Sequence, residues 1–177
     1  MEWLLPKLAA YESDITILLR LLVATFAGMV IGLNRDRHNK PVGMRTLALV
    51  SLSAAAVVLS GTVFGEHFQQ DAASRVMQGI LTGVGFLGAG VIMRGKDTFE
   101  VHGLTTASTV WIAAALGITS GLGAWFITFT GIIIALLLLT VGKPLEYALI
   151  RMLGGPDQAG SEGDPKSAGS DQGHNQP

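Results

Sequence analysis

Apolar residues in this chain fall in long blocks separated by short polar connections. They show neither the strict alternation of a strand nor the one-sided stripe of a soluble helix. The blocks run from about Ile15 to Leu33, Met44 to Phe64, Val76 to Met93, Leu104 to Thr119 and Leu122 to Val141. Runs of about 17–25 apolar residues are what a helix needs to cross a bilayer. The pattern therefore predicts an all-α membrane protein with five transmembrane helices over residues 15–141. Residues 1–14 precede the first span; Glu2, Glu12 and Asp14 outnumber Lys7 there, which does not read as a cleaved signal peptide. Residues 142–153 predict a short interfacial helix, begun by Pro144 and ended by Gly154-Gly155. Residues 154–177 are mostly Gly, Ser, Asp, Gln and Pro, a composition expected to be disordered.

The third block carries Gly79, Gly83, Gly85, Gly88 and Gly90. In a soluble helix each interior glycine costs about 1 kcal/mol relative to alanine. In a membrane, small residues instead let helix backbones approach closely. Gly79 with Gly83, and Gly85 with Ala89, repeat a small residue at i and i+4. The glycine-rich third helix is therefore expected at the packing centre, inside the bundle or at a subunit interface. A homo-oligomer follows as an expectation, with a two-fold dimer favoured as the commonest symmetry. The stretch Gly117–Gly123 is expected to form the tight turn between the last two spans.

Charge orients the bundle. The first connection carries Arg35, Arg37, Lys40 and Arg45 against Asp36; the third carries Arg94 and Lys96, and the end of the fifth span carries Lys143 and Arg151. With five alternating spans these regions share one side, and the other side holds little basic charge beyond Lys7 and Arg75. Basic connections stay in the cytoplasm, which predicts the N-terminus out and the C-terminus in. Only 14% of residues are charged, against about 25% in soluble domains. The net charge of −1 gives no sign of nucleic-acid binding, the apolar blocks make the lipid bilayer the expected partner, and the lack of cysteine removes disulfides and thiolate chemistry.

Candidate chemistry sits at the span ends. Asp36, flanked by Arg35 and near Arg45, reads as the acid of an inner-mouth site or as an ion-pair partner that fixes the loop. One carboxylate among cations makes a poor Mg²⁺ site, because hard cations want several oxygen ligands. Arg37 and Lys40 read as solvated charges attracted to anionic headgroups. Arg75 and Gln78 open the third span: the arginine snorkels, and the amide bonds a neighbouring helix. Thr105, Thr106 and Thr109 either bond back to their own helix or line a vestibule with Gly88 and Gly90. Trp111 reads as packing, and Arg20 as a residue reaching the outer interface. His38, His67, His102 and His174 are scattered without metal-ligand spacing, and no phosphate loop or nucleophile–base set is present. No metal and no cofactor are expected.

Three strings together resemble the MgtC/SapB family of bacterial inner-membrane proteins: Gly32–Val50, Arg75–Gly90 and Val101–Trp111. The resemblance covers about Ile15 to Val141. The family typically shows Gly-x-Glu-Arg-Glu where this chain has Gly32, Asn34, Arg35 and Asp36, so one acid is neutral here and the other is shortened. The resemblance implies a multi-pass plasma-membrane protein linked to magnesium limitation, stress adaptation or survival inside host cells. Modulation of the F-type ATP synthase has been proposed for some members. It also implies a short form, with a polar tail where several relatives carry a soluble domain.

The leading expectation, carried by that resemblance, is a non-enzymatic integral membrane protein of the MgtC/SapB type, acting in ion homeostasis or as a modulator of another membrane complex. A small Mg²⁺ or H⁺ channel or transporter built on the glycine-rich helix stays open beside it. It is weakened because every acid between Ile15 and Val141 lies in a connection. A membrane-embedded enzyme is the least supported class.

Overall fold

The structure is a computed structural model and describes residues 4–64, 70–94 and 101–153. Helix α1 spans Leu4–Arg37, α2 Met44–Phe64, α3 Gln70–Gly90, α4 Leu104–Gly121 and α5 Trp125–Met152. Between α3 and α4 a two-residue strand β1 (Met93–Arg94) pairs antiparallel with β2 (Val101–His102), Met93 opposite His102. The chain divides into two compact units, Met1–Thr140 and Val141 onward.

Among the described residues, four helices are long and apolar enough to cross a membrane: α1 from Asp14, α2, α4 and α5 up to Gly142. Helix α3 falls outside that group. The apolar block drawn from Val76 to Met93 does not remain helical to its end: Val91 and Ile92 donate back to the carbonyls of Gly88 and Ala89, and β1 begins at Met93. From Val76 to Gly90 the apolar part of α3 spans only about 22 Å at 1.5 Å per residue, short of a hydrocarbon core of about 30 Å.

The core of the first unit forms where α1, α2 and α4 meet, around Ala27, Ile31, Leu47, Ala54, Val58, Val110, Ala113 and Ala114. Glycines set the spacing. A Cβ on Gly28 or Gly32 of α1 would strike the backbone of α2 at Leu47–Ala48 or Met44. On the α4 side, one on Gly117 would strike Ser51, and one on Gly121 would come within 3.0 Å of the Ala55 carbonyl. So α2 is touched by glycine on two helices.

This corrects the expected packing centre. Within one chain, a Cβ on Gly79, Gly83, Gly85 or Gly90 would meet nothing within 4 Å, and only Gly88 packs, against Ala107. Helix α3 leans on α4 and α2 through Val76, Met77, Ile80, Leu81 and the buried Val84, leaving its glycine face open. The helical period decides this: only one side of α3 is turned to its neighbours, and most of its glycines lie off it.

Two further boundaries differ from expectation. Gly117 and Gly121 are helical packing residues, and the turn is confined to residues 122–124, with Gly123 at φ 75°. Helix α5 also continues through Pro144 to Met152, so no separate helix begins there. Pro144 lacks the N–H that would bond the Thr140 carbonyl, which weakens the ladder at the unit boundary without ending the helix. The expected disordered tail lies outside the described residues. On α5, Phe126, Ile133, Leu137 and Leu138 are exposed, as suits a lipid-facing helix.

Gly117→Ala should lower stability by about 1–3 kcal/mol, because the methyl group must displace backbone. Gly83→Leu should leave the fold of a single chain intact. Thermal unfolding in detergent distinguishes the two, and an equal loss in both would contradict the assigned packing faces.

Candidate functional site

The last turn of α1 builds the site. After Arg37 the chain closes with His38 N–H and Lys40 N–H on the Arg35 carbonyl and Asn39 N–H on that of Asp36. Asn39 (φ 49°) and Val42 (φ 62°) take left-handed backbone. Asparagine tolerates this, but for a β-branched residue it is a strained outlier that the surroundings must hold. Val42 is held by packing against the apolar core.

Asp36 caps the next helix. Its Oδ2 accepts the Met44 N–H at 3.0 Å, satisfying one of the unpaired donors at the start of α2. The same carboxylate lies where a Cβ on Gly43 would have to go, so a side chain at that position would push the cap aside.

Arg35 points the other way. It is 4% exposed, and its Nη2 donates both to the Pro41 carbonyl at 3.1 Å and to Thr106 Oγ1 in the first turn of α4. Its Nε is buried with no hydrogen-bond partner, and no carboxylate lies within ion-pairing distance among the described residues. Consecutive side chains thus tie the strained loop to two different helices. Behind Thr106, Thr109 Oγ1 donates to the Thr106 carbonyl at 2.7 Å. The N-cap of α4 is Gly103, at φ 93° and without a side-chain cap, and a Cβ there would strike the Val91 carbonyl.

Of the candidate residues, the structure brings Arg35 and Thr106 into contact and places Asp36 beside them. Arg45 and Thr105 are exposed at the same end of their helices. Arg75 and Gln78 lie exposed on α3, and the Gln78 carbonyl accepts from Thr82 Oγ1 at 2.8 Å. Trp111 is 49% exposed on α4, so it is not the packing residue expected. Arg20 does not simply reach outward: Nη1 donates to the Gly121 carbonyl at 3.0 Å, capping the far end of α4. Sequence reading missed Gly28, Gly32, Gly117 and Gly121 as packing residues. The signal was present, since each pair repeats glycine at i and i+4. Among the described residues no group of three His, Cys, Asp or Glu stands close enough to hold a metal ion.

Comparison with known proteins agrees with the strings around this site. The model of the MgtC family matches residues 21–148. The chain belongs to the MgtC family. Among curated MgtC-family relatives it is 42% identical to Protein SrpB of Synechococcus elongatus over 136 residues, 72% of this chain and 75% of that protein. It is 36% identical to Protein SapB of Bacillus subtilis over 137 residues, 73% of this chain and 58% of SapB. Protein MgtC of Salmonella typhimurium strain LT2 is 42% identical over 106 residues, 60% of this chain and 43% of MgtC. The chain thus spans three quarters of SrpB but about half of the longer relatives. No solved structure matches it.

Asp36→Ala should destabilise the fold by about 1 kcal/mol through loss of the α2 cap. Asp36→Asn, which keeps an acceptor, should recover most of that in thermal unfolding. Equal losses in both would mean that the carboxylate's charge, not the cap, is what matters.

Proposed function

We propose that this MgtC-family chain is a non-enzymatic, multi-pass protein of the bacterial plasma membrane. Its role is adaptation to magnesium limitation and ion homeostasis through modulation of another membrane complex. The F-type ATP synthase is the complex that the family resemblance brings forward. In this reading α3 also crosses the bilayer, as the third of five spans and shorter than the others, with the N-terminus out and the C-terminus in. A homodimer covers the open glycine face of α3.

The observation that carries this reading is the buried Arg35. A guanidinium stays charged, and here it sits at the end of the bundle with no carboxylate within ion-pairing distance among the described residues. Asp36 lies within the same helix, but its carboxylate is bound to the Met44 N–H, so a cation path along α1 and α4 would have to pass that charge with no acid paired to it among the described residues. A protein that holds another in place needs no such path.

The cation-channel reading keeps one supporting observation, the open face of Gly79, Gly83, Gly85 and Gly90, which a second copy could line. Purified protein in sealed liposomes should show no Mg²⁺ or H⁺ flux above protein-free vesicles. Flux that Gly83→Leu blocks would replace the modulator reading with the channel. In a magnesium-limited growth assay, Asp36→Ala and Arg45→Ala should fail to complement a deletion at unchanged expression, whereas Arg37→Ala should complement. Equal complementation by all three would remove this end of the bundle as the functional surface.

A further inference from the structure

Two arginines of α1 meet the two ends of α4, and only one of them suits its end. Arg20 donates to the Gly121 carbonyl, where the helix dipole is negative and a cation is favoured. Arg35 lies against the first turn, where the dipole is positive and a cation is disfavoured. The first helical bond of α4 runs from Ala107 N–H to the Gly103 carbonyl, so the N–H groups of Leu104, Thr105 and Thr106 have no acceptor within the helix. Gly103 has no side chain with which to cap them.

Asp36 does not neutralise this corner, because its carboxylate is turned onto the Met44 N–H. Nor does Arg35 spend its donors: both of its hydrogen bonds leave from Nη2. Among the described residues the corner therefore combines a nine-tenths buried guanidinium, three backbone N–H groups with no acceptor inside their helix and the Thr105 hydroxyl, with no carboxylate paired to the guanidinium. Thr105 and Leu104 are exposed, so it is open on that side. The charges that follow Arg35 and Asp36 in the chain, Arg37, Lys40 and Arg45, are exposed cations.

We propose that Arg35 and the first turn of α4 form a binding site for a phosphate-type anion, either a lipid headgroup phosphate or a free phosphate. The tetrahedral oxygens would accept from the α4 N–H groups and Thr105 while the guanidinium supplies a charge-assisted bond. The proposal goes beyond the role given above. It rests on that reading only in setting the site near headgroups, and its test reads binding, so either can fail without the other.

The test uses the full chain, delipidated in a non-ionic detergent at constant ionic strength and titrated with inorganic phosphate while thermal unfolding is followed. The same protein is then returned to phosphatidylglycerol and examined by native mass spectrometry for retained lipid. Wild type and the exposed-site control Arg37→Gln should both be stabilised by phosphate or retain phosphatidylglycerol. Arg35→Gln should bind at least about tenfold more weakly, as expected for losing a charge-assisted bond. Thr105→Glu supplies an internal anion at the open edge, so it should raise the unfolding temperature and abolish the response. It decides the matter if Arg35→Gln does not fold. A phosphate response in delipidated protein assigns the site to free phosphate, and lipid retention without that response assigns it to a headgroup. No response to either ligand in wild type, or an unchanged response in Thr105→Glu, would overturn the proposal.

Discussion

Lipid tails are as apolar as leucine, so helices in a membrane gain little from simply hiding apolar side chains against one another. What holds such a bundle is close packing, and here that means bare glycine against the backbone of α2. Gly28 and Gly32 let α1 lie on residues Met44–Ala48, and Gly117 and Gly121 let α4 lie on Ser51–Ala55. Close approach also brings Ser51 Oγ to the Ala24 carbonyl at 2.7 Å, a bond between helices that wider spacing would forbid. Everything at the Arg35 end depends on this spacing, because it sets the last turn of α1 beside the first turn of α4.

Most hydroxyls in the bundle bond to their own helix. Thr25, Ser60, Thr82, Ser108, Ser120 and Thr140 each donate to the carbonyl four residues back. This leaves few polar links between helices, so each one counts. Arg35 to Thr106 joins α1 to α4, and Thr128 to Thr119, at 2.8 Å, joins α5 to α4. A buried guanidinium costs a great deal unless it is compensated, which makes the Arg35 corner the least balanced part of the described structure. Strained backbone at Val42 beside it follows the same logic: local cost is concentrated where one dipeptide must serve three segments.

Much of this was legible in the residues. Block hydrophobicity set the helices: α2 was drawn from Met44 to Phe64 and found there, and the start of α4 at Leu104 also agreed. The strings that resemble the MgtC/SapB family carried the family. The Arg35–Asp36 cluster could be singled out because charge at the end of an apolar run is rare, and Thr106 because it opens the next span on the same side. Their direct contact could not be read, since Arg35 and Thr106 lie 71 positions apart and nothing local sets that distance.

Glycine spacing shows where the sequence stops. The i, i+4 repeat occurs in α1, α3 and α4 alike, and the densest case drew the packing centre to α3. Within one chain α3 leaves most of its glycines open, and the sparser pairs make the core. A repeat states that a helix can be approached closely, but not which helix does the approaching. Likewise, composition determined that the chain is helical and apolar, whereas tertiary contact decided which arginine meets the favourable end of α4 and which meets the other. The physical reason is the same in both cases: periodicity and charge are properties of one segment, and packing partners are properties of pairs.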